Sequence, residues 1–486
     1  MDGFQVELFR RLPLAQSVLH VFCYALDESV LNDLFEAHRG RCYQDVLTFP
    51  GLVYLISDAL VLYEGSGHRA FTEAAQGGRL PVAEQNVYGK LSRIPLEVSM
   101  ALLGAGAERL GPLIPADRPA GVLPASLREF RVTAFDGKKV KGAAKRLKPL
   151  RGLPGTLLGG KLLVALDLVS GLVIEMQVDA DGERNDVPLV PGLVARVRER
   201  IADPILWVGD RQFGNVSVPA LLSERAGDHF LVRCPTSLTL HVDSDRPSGE
   251  GVDSAGRPYV EEWGWIGRDA KRRRYVRRMT LDRGPEESIL LITDLLDDER
   301  WPARDVLDTY LQRWGIERMF QKVTEVFNLQ ALIGSSPAAM IFQAAMCFLL
   351  YNILQVLQAF VAEDGGRGRE EVSTENLFGD VTRQMSTWRD MGDSEAAVDQ
   401  LALGVVQTPL GHTVRPWDSP AAIVAWLRGT LKGRWRARWI KSPPKRKRSL
   451  TKDAPRAKVP RGHGGHTSTW RILQAAKAKP KRGQRS

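Results

Sequence analysis

The spacing of apolar residues changes once along this chain, and that change limits what it can fold into. From Leu8 to about Ala125 apolar residues recur every three or four positions, as in Ser29 to His38 and Leu52 to Tyr63, the period of helices that bury one face. Near Arg128 the period becomes two. Glu129 to Asp136, Lys161 to Leu168 and Leu172 to Val178 read as three successive strands, the last two joined at Ser170-Gly171. Asn185-Asp186 with Pro188 marks a helix start, the helix running to about Ile201, and Pro204 to Gly209 is an apolar strand that ends at Asp210. Gly214-Asn215 opens another helix, and His229 to Arg233 is a fifth strand.

The order βββαβαβ, with acids at the ends of the first and fourth strands, matches a ribonuclease-H-like α/β layout: a mixed sheet with helices on both faces. Residues from Pro235 to Glu287 break that order. Ser237 to Val242, Tyr259 to Trp265 and Arg274 to Leu281 are strand-like pieces between Ser/Gly/Pro and charge clusters, and they predict a β-rich inserted subdomain. Ser288 to Thr293 returns as a strand, followed by one helix from Pro302 through Glu317. The expected units are a helical N-terminal DNA-binding domain (1–126), a catalytic core (127–234 and 288–361) split by the insertion (235–287), a C-terminal helical region (362–427) and a basic tail (428–486). At 486 residues, two or three folded units plus tails are expected.

Charge is concentrated at one end. Residues 428–486 hold 20 Lys/Arg and one acid, Asp453, so the tail carries +19 of a chain whose total is +10, and the rest is net acidic. A run such as Lys441-Ser-Pro-Pro-Lys-Arg-Lys-Arg448 buries little apolar surface and reads as disordered, suited to a polyanion through counterion release or to plain solubility. Cys23, Cys42, Cys234 and Cys347 have neither CxxC pairing nor short Cys/His spacing, which supports no zinc module or disulfide framework and fits a reducing cytoplasm. The N-terminus has no signal-peptide pattern. The apolar stretch from Ala338 to Phe360 is interrupted by Gln343, Asn352, Gln355 and Gln358, which marks a buried helix rather than a membrane span.

The chemistry-bearing residues lie at the ends of these elements. At about 100° per residue, Tyr310, Arg313 and Glu317 share one helix face, so a phenol, a guanidinium and a carboxylate converge. With Asp136 and Asp210 upstream, the three acids have the oxygen ligands that two Mg2+ ions about 3.5–4 Å apart require (Mn2+ being the alternative ion), while Arg313 and Tyr310 would contact phosphate. Each residue has a structural reading as well. Asp136-Gly137 is a common turn, Arg313 and Glu317 form a routine i,i+4 ion pair, and Tyr310 with Trp314 suits a core. Asp167, Asp179, Asp181 and Asp186 fall in a strand, turns and a helix cap, where structural reasons suffice.

Two basic groups point to DNA. Lys138, Lys139, Lys141, Lys145, Arg146, Lys148 and Arg151 fall in a long segment after Asp136, read as a phosphate-tracking loop or a solvated one, and Arg211 adjoins Asp210. Between Pro81 and Pro95 a short helix carries Gln85, Asn86, Lys90 and Arg93, read as a groove-binding helix or the solvated face of a packed one.

Phe135-Asp136-Gly137, Asp210-Arg-Gln-Phe-Gly214 and Tyr310-Leu-Gln-Arg313-Trp-Gly-Ile-Glu317 resemble the three catalytic blocks of bacterial DDE transposases of the insertion-sequence-four family, and Tyr88 to Pro95 is similar to that family's N-terminal segment. The resemblance covers about residues 20 to 360. It implies Mg2+ dependence, recognition of terminal inverted repeats in double-stranded DNA and action as a homodimer in a synaptic complex. The family's lysine seven residues past the glutamate is Thr324 here, and Lys322 points about 140° away from Glu317. Trp263, Trp265 and Trp301 are the candidates by composition for a tryptophan that stacks on a displaced base. The competing readings are a catalytically impaired DNA-binding relative and a nuclease or resolvase without strand transfer.

Overall fold

Proline and hydroxyl caps start most of the early helices. The computed structural model describes residues 11–43, 45–115, 123–143, 145–267, 273–284, 288–327, 329, 331–392, 406–407, 413–414, 417, 419–441 and 466–478. Helix α1 (Pro13–Ala25) opens on proline, α2 (Glu28–His38) is capped by Asp27 and α3 (Phe49–Val61) by Thr48, each cap accepting a backbone N–H that the first turn leaves free. Then follow α4 (Gly67–Gln76), α5 (Glu84–Leu91) and α6 (Leu96–Leu110).

These helices share one hydrophobic core with α11 (Pro337–Asp364). Phe49 meets Phe342 edge-on with ring centroids 6.0 Å apart, and α6 comes so close at Gly106 that a Cβ there would overlap Leu349. Helix α11 is long and apolar enough to cross a membrane, yet all of its most apolar window is buried inside the fold. Its amides explain how. Asn352 clamps the backbone of Val173, accepting from its N–H and donating to its carbonyl at 2.8 Å each, while Gln343 accepts from Ile333 N–H at 2.8 Å and Gln358 donates to the Val372 carbonyl at 2.7 Å. Buried polar groups with partners cost little; the same groups facing lipid would have none.

All but two of the described strands form one mixed sheet. β1 (Arg131–Lys141), β2 (Leu157–Asp167) and β3 (Val173–Asp179) are an antiparallel meander. After α7 (Val190–Arg200), β4 (Ile205–Gly209) lies parallel to β1, and after α8 (Ser217–Leu222), β5 (His229–Arg233) lies parallel to β4. The expected order βββαβαβ is present. The inserted strands β6 (Leu240–Val242), β7 (Gly249–Val252), β8 (Pro258–Ile266) and β9 (Arg274–Leu281) do not form a separate sheet. With β10 (Ile289–Thr293) they extend it, in the order β5-β10-β9-β8-β6 with β7 also on β8, so the open edge of β5 is covered.

Two further expectations are corrected. The helix expected from Pro302 through Glu317 is two helices, α9 (Ala303–Leu311) and α10 (Trp314–Glu325). Between them Gln312, Arg313, Gly315 and Ile316 bond to the carbonyls three residues back, the tighter 3₁₀ pattern. Within the span read as a disordered tail, residues 428–441 and 466–478 are folded. After α12 (Thr374–Gly392) and the paired strands β11 (Val406–Gln407) and β12 (Thr413–Val414) comes α13 (Pro420–Leu431). Further on, β13 (Thr467–Ser468) adds parallel to β2 at Leu157–Leu158 and leads into α14 (Thr469–Ala478). Composition over the whole tail hid this short segment, which buries Ser468 and Thr469 against the sheet. The basic run 442–450 lies outside the described residues.

Candidate active site

β1 outruns its neighbour. Its last partner on β4 is Phe135, opposite Gly209, while pairing with β2 continues through Gly137, Lys138 and Lys139, so Asp136 is the first β1 residue beyond the end of β4 and not the end of its own strand. Lys138, Lys139 and Lys141 accordingly lie in the strand and not in a loop. Asp210 stands where β4 ends, heading the 3₁₀ turn Arg211–Phe213. Glu317 lies in the first turn of α10.

Arg313 ties these acids together. Its Nη1 donates to Glu317 Oε1 at 3.0 Å and its Nη2 lies 3.9 Å from Asp210 Oδ1; the Arg313 side chain is 5% exposed, those of Asp210 and Glu317 37% and 38%. The cation is therefore walled in and the carboxylates face solvent. The guanidinium carbon lies 5.6 Å from the centre of the Tyr310 ring. In a 3₁₀ turn residues i and i+3 eclipse, which places Tyr310 directly beside Arg313. Burial works against the charge on Arg313, but Tyr310, Asp210 and Glu317 outweigh it and hold the guanidinium more basic than usual. Burial also raises the Tyr310 phenol, with Asp210 adding and Arg313 opposing.

Asp136 accepts the N–H of Gly137 at 2.8 Å. Burial pushes its carboxyl up to about 6, the Gly137 N–H and Arg313 oppose the shift, and Asp210 and Asp186 add to it. Asp136, Asp210, Glu317, Arg313 and Tyr310 thus form one electrostatic group. Its donors are hard oxygens of the kind that suit Mg2+ or Mn2+, and Asp210 Oδ1 is buried without a hydrogen-bond partner. Among the described residues, however, no three His, Cys, Asp or Glu side chains close into a metal-binding group. Three bare carboxylates repel one another, and Arg313 contacts two of them instead.

The basic candidates divide. Lys138 reaches the Phe320 carbonyl at 3.5 Å and lies over that ring, binding β1 to α10. Lys139 sits opposite Lys161 across the β1–β2 pair. Lys141, Lys145, Arg146 and Lys148 are exposed, with Lys145 donating to the Leu153 carbonyl and Arg146 to that of Ile333. Arg211 is partly buried beside Asp210, and Arg93 is exposed on the turn after α5. Lys90 corrects the expectation of a groove contact: it is buried, its ammonium donating to the Leu47 carbonyl and lying over Phe35, while Gln85, Asn86 and Arg93 remain exposed. Trp263 and Trp301 are also buried, Trp263 with Arg246 3.9 Å from its ring, and so present no face to a base. Thr324 turns its hydroxyl back to the Phe320 carbonyl at 2.6 Å.

The sequence reads Asp186 as a helix cap. It makes no cap bond; its carboxylate pairs with Lys161 at 2.5 Å and is packed against Gly137 so closely that a Cβ there would overlap it. The readable signal was a glycine inside a strand, immediately after the acid.

Residues 128–353 match the family model described as the transposase DDE domain. That span runs from just before β1 into α11 and contains Asp136, Asp210 and Glu317. No curated protein matches the sequence. Among solved structures, this chain is similar to a piggyBac transposase in a synaptic complex with hairpin DNA, seen by cryo-EM, at 11% identity and a TM-score of 0.41, with 83% of this chain and 86% of that chain covered.

Proposed function

We propose that this protein is the DDE transposase of a bacterial insertion sequence, acting in the cytoplasm as a homodimer that brings two terminal inverted repeats together, cuts them and joins them to target DNA. The observation that carries this reading is the buried Arg313 touching Asp210 and Glu317 beside Asp136, inside the stretch that matches the transposase DDE domain. The strand order β3-β2-β1-β4-β5 agrees with a ribonuclease-H-like core.

Asp136, Asp210 and Glu317 would hold the divalent ions, Mg2+ or Mn2+, which when bound activate an oxygen nucleophile and offset charge on phosphorus and on the leaving oxygen. Arg313 supplies what the protein itself must: a fixed, desolvated cation with donors suited to phosphate oxygens. Phosphate entering the site competes with Glu317 for the same guanidinium, freeing that carboxylate. Tyr310 limits where the guanidinium can swing. Lys141 at the end of β1 and Arg146 and Lys148 in the segment that follows extend the positive surface, where they neutralise backbone phosphates and fix position without reading sequence.

A second reading, a DNA-binding protein that has lost catalysis, is favoured by Thr324, which bonds its own helix where a lysine was expected. One experiment separates the two. Purified protein is incubated with the DNA flanking its own reading frame, with and without Mg2+, beside Asp136→Ala. Cut and joined products that need both the ion and Asp136 are expected; binding with no product under any condition would establish the second reading, and cutting without joining a nuclease.

A further inference from the structure

Asp136 stands on a part of β1 that has lost one neighbour. Beyond Phe135 no residue pairs with β4, so β2 alone holds the strand edge. Alternation turns Asp136 and Lys138 toward α10, while Gly137 and Lys139 face the other side of the sheet. On that other side the Asp186 carboxylate fills the space where a Gly137 side chain would be. Asp186 is held in turn by Lys161 of β2 at 2.5 Å, the two side chains being 8% and 6% exposed. The segment bearing Asp186, between β3 and α7, is clasped from the far end of the chain: Arg471 pairs with Asp181 at 2.8 Å and Glu183 at 2.6 Å, and Ser468 N–H donates to Glu183 at 2.7 Å.

We infer that Asp186, fixed by Lys161, is a positioning residue for Asp136: it braces the tip of β1, which is paired on one edge only, from behind at Gly137 and so sets where the Asp136 carboxylate points. The inference rests on the metal-binding reading of Asp136 given above. A buried carboxylate whose ammonium partner sits on the neighbouring strand is a stiff brace, because moving it strands a charge away from water. A glycine at 137 is what lets the brace touch the backbone itself, so a shift of the brace passes directly to the next residue.

The test uses the full chain and Mn2+ as probe, its affinity read by electron paramagnetic resonance at a temperature where circular dichroism shows each variant fully folded. Wild type, Asp136→Ala, Asp186→Asn and Gly137→Ala are compared, with metal-free DNA binding and Tm measured alongside. Asp186→Asn and Gly137→Ala are each expected to weaken Mn2+ binding by about 10–100-fold, the usual effect of losing a residue that orients a ligand, with metal-free DNA affinity within about 2-fold of wild type. A folded Asp186→Asn protein that binds Mn2+ like wild type overturns the inference, as does one whose deficit disappears on cooling in step with its Tm, which marks a merely structural role. If Asp186→Asn does not fold, Gly137→Ala decides by the same criterion. Wild type and Asp136→Ala binding Mn2+ equally would instead remove the metal-binding reading, and the inference with it.

Discussion

Arg313 is the residue on which the site depends most. It is walled in on the protein side, bound to Glu317 and within ion-pair reach of Asp210, so its removal leaves two carboxylates without their shared cation and, on the function proposed above, phosphate without its fixed donor. Arg313→Ala is expected to lower the DNA-cleavage rate by about 10²–10³-fold, the range for loss of one preorganised charge-stabilising donor, measured in single-turnover assays on flanking DNA. Arg313→Lys should recover only part of that, because one ammonium does not reproduce the two-pronged guanidinium. A different residue contributes to the pH dependence of stability. Burial pushes Asp58 on α3 up to about 7, with Arg79 and Arg389 opposing. Its folded value lies above its ordinary one, so its contribution is complete below about pH 4 and is lost as pH rises through about 7, by at most about 1.4 kcal/mol per unit. Thermal melts at pH 5 and pH 8 should therefore show a smaller drop for Asp58→Asn than for wild type, and an equal drop would remove Asp58 as the cause.

At the scale of elements, the surprise is the pair β13 and α14. A two-residue strand is weak by itself, yet it caps the exposed edge of β2 at Leu157–Leu158 and carries Arg471 to the two acids of the segment after β3. Ending the chain at residue 465 should lower Tm by roughly 2–4 °C and speed hydrogen exchange at Leu157 to Gly160 above that of the central strands. Unchanged exchange there would mean that the segment is not seated on β2 in solution. The junction of α9 and α10 is a second device at this scale. A continuous α-helix would separate Tyr310 and Arg313 by about 60° around the axis, whereas the 3₁₀ turn stacks them.

Over the whole molecule, the first hundred residues cannot be treated as an independent module. Helix α11 emerges from the site-bearing half of the chain and is buried by α1, α3 and α6, with Phe342 and Leu349 among the residues they cover. A fragment beginning at residue 127 would expose that apolar surface to water. It is expected to be poorly soluble and to melt without a cooperative transition, while the full chain melts cooperatively. A fragment that stays soluble and unfolds in one sharp step would show that the core is complete without the helices.

How much of this was readable in advance follows from what each signal encodes. Apolar patterning placed β1 to β5 and α11 because burial is written directly into residue spacing, start signals at Asn185-Asp186 and Gly214-Asn215 placed α7 and α8, and the amides of α11 marked it as protein-buried. Asp210 was legible as the end of β4, whereas Asp136 was expected at a strand end and lies inside β1, and Arg313 was expected on one continuous helix and lies at the junction of two. Lys90 was misread because polarity along a short helix does not say which face meets a neighbour, and Asp186 was passed over because its partner Lys161 lies on another strand. Sequence alone therefore determined most of the elements of the central sheet and the residue types that its strand ends and helix turns present. Only the tertiary structure decided that the inserted strands continue the central sheet, that the C-terminal strand returns to β2 and that a buried ion pair stands behind Asp136, because those outcomes depend on contacts between residues far apart in the chain, which local spacing does not record.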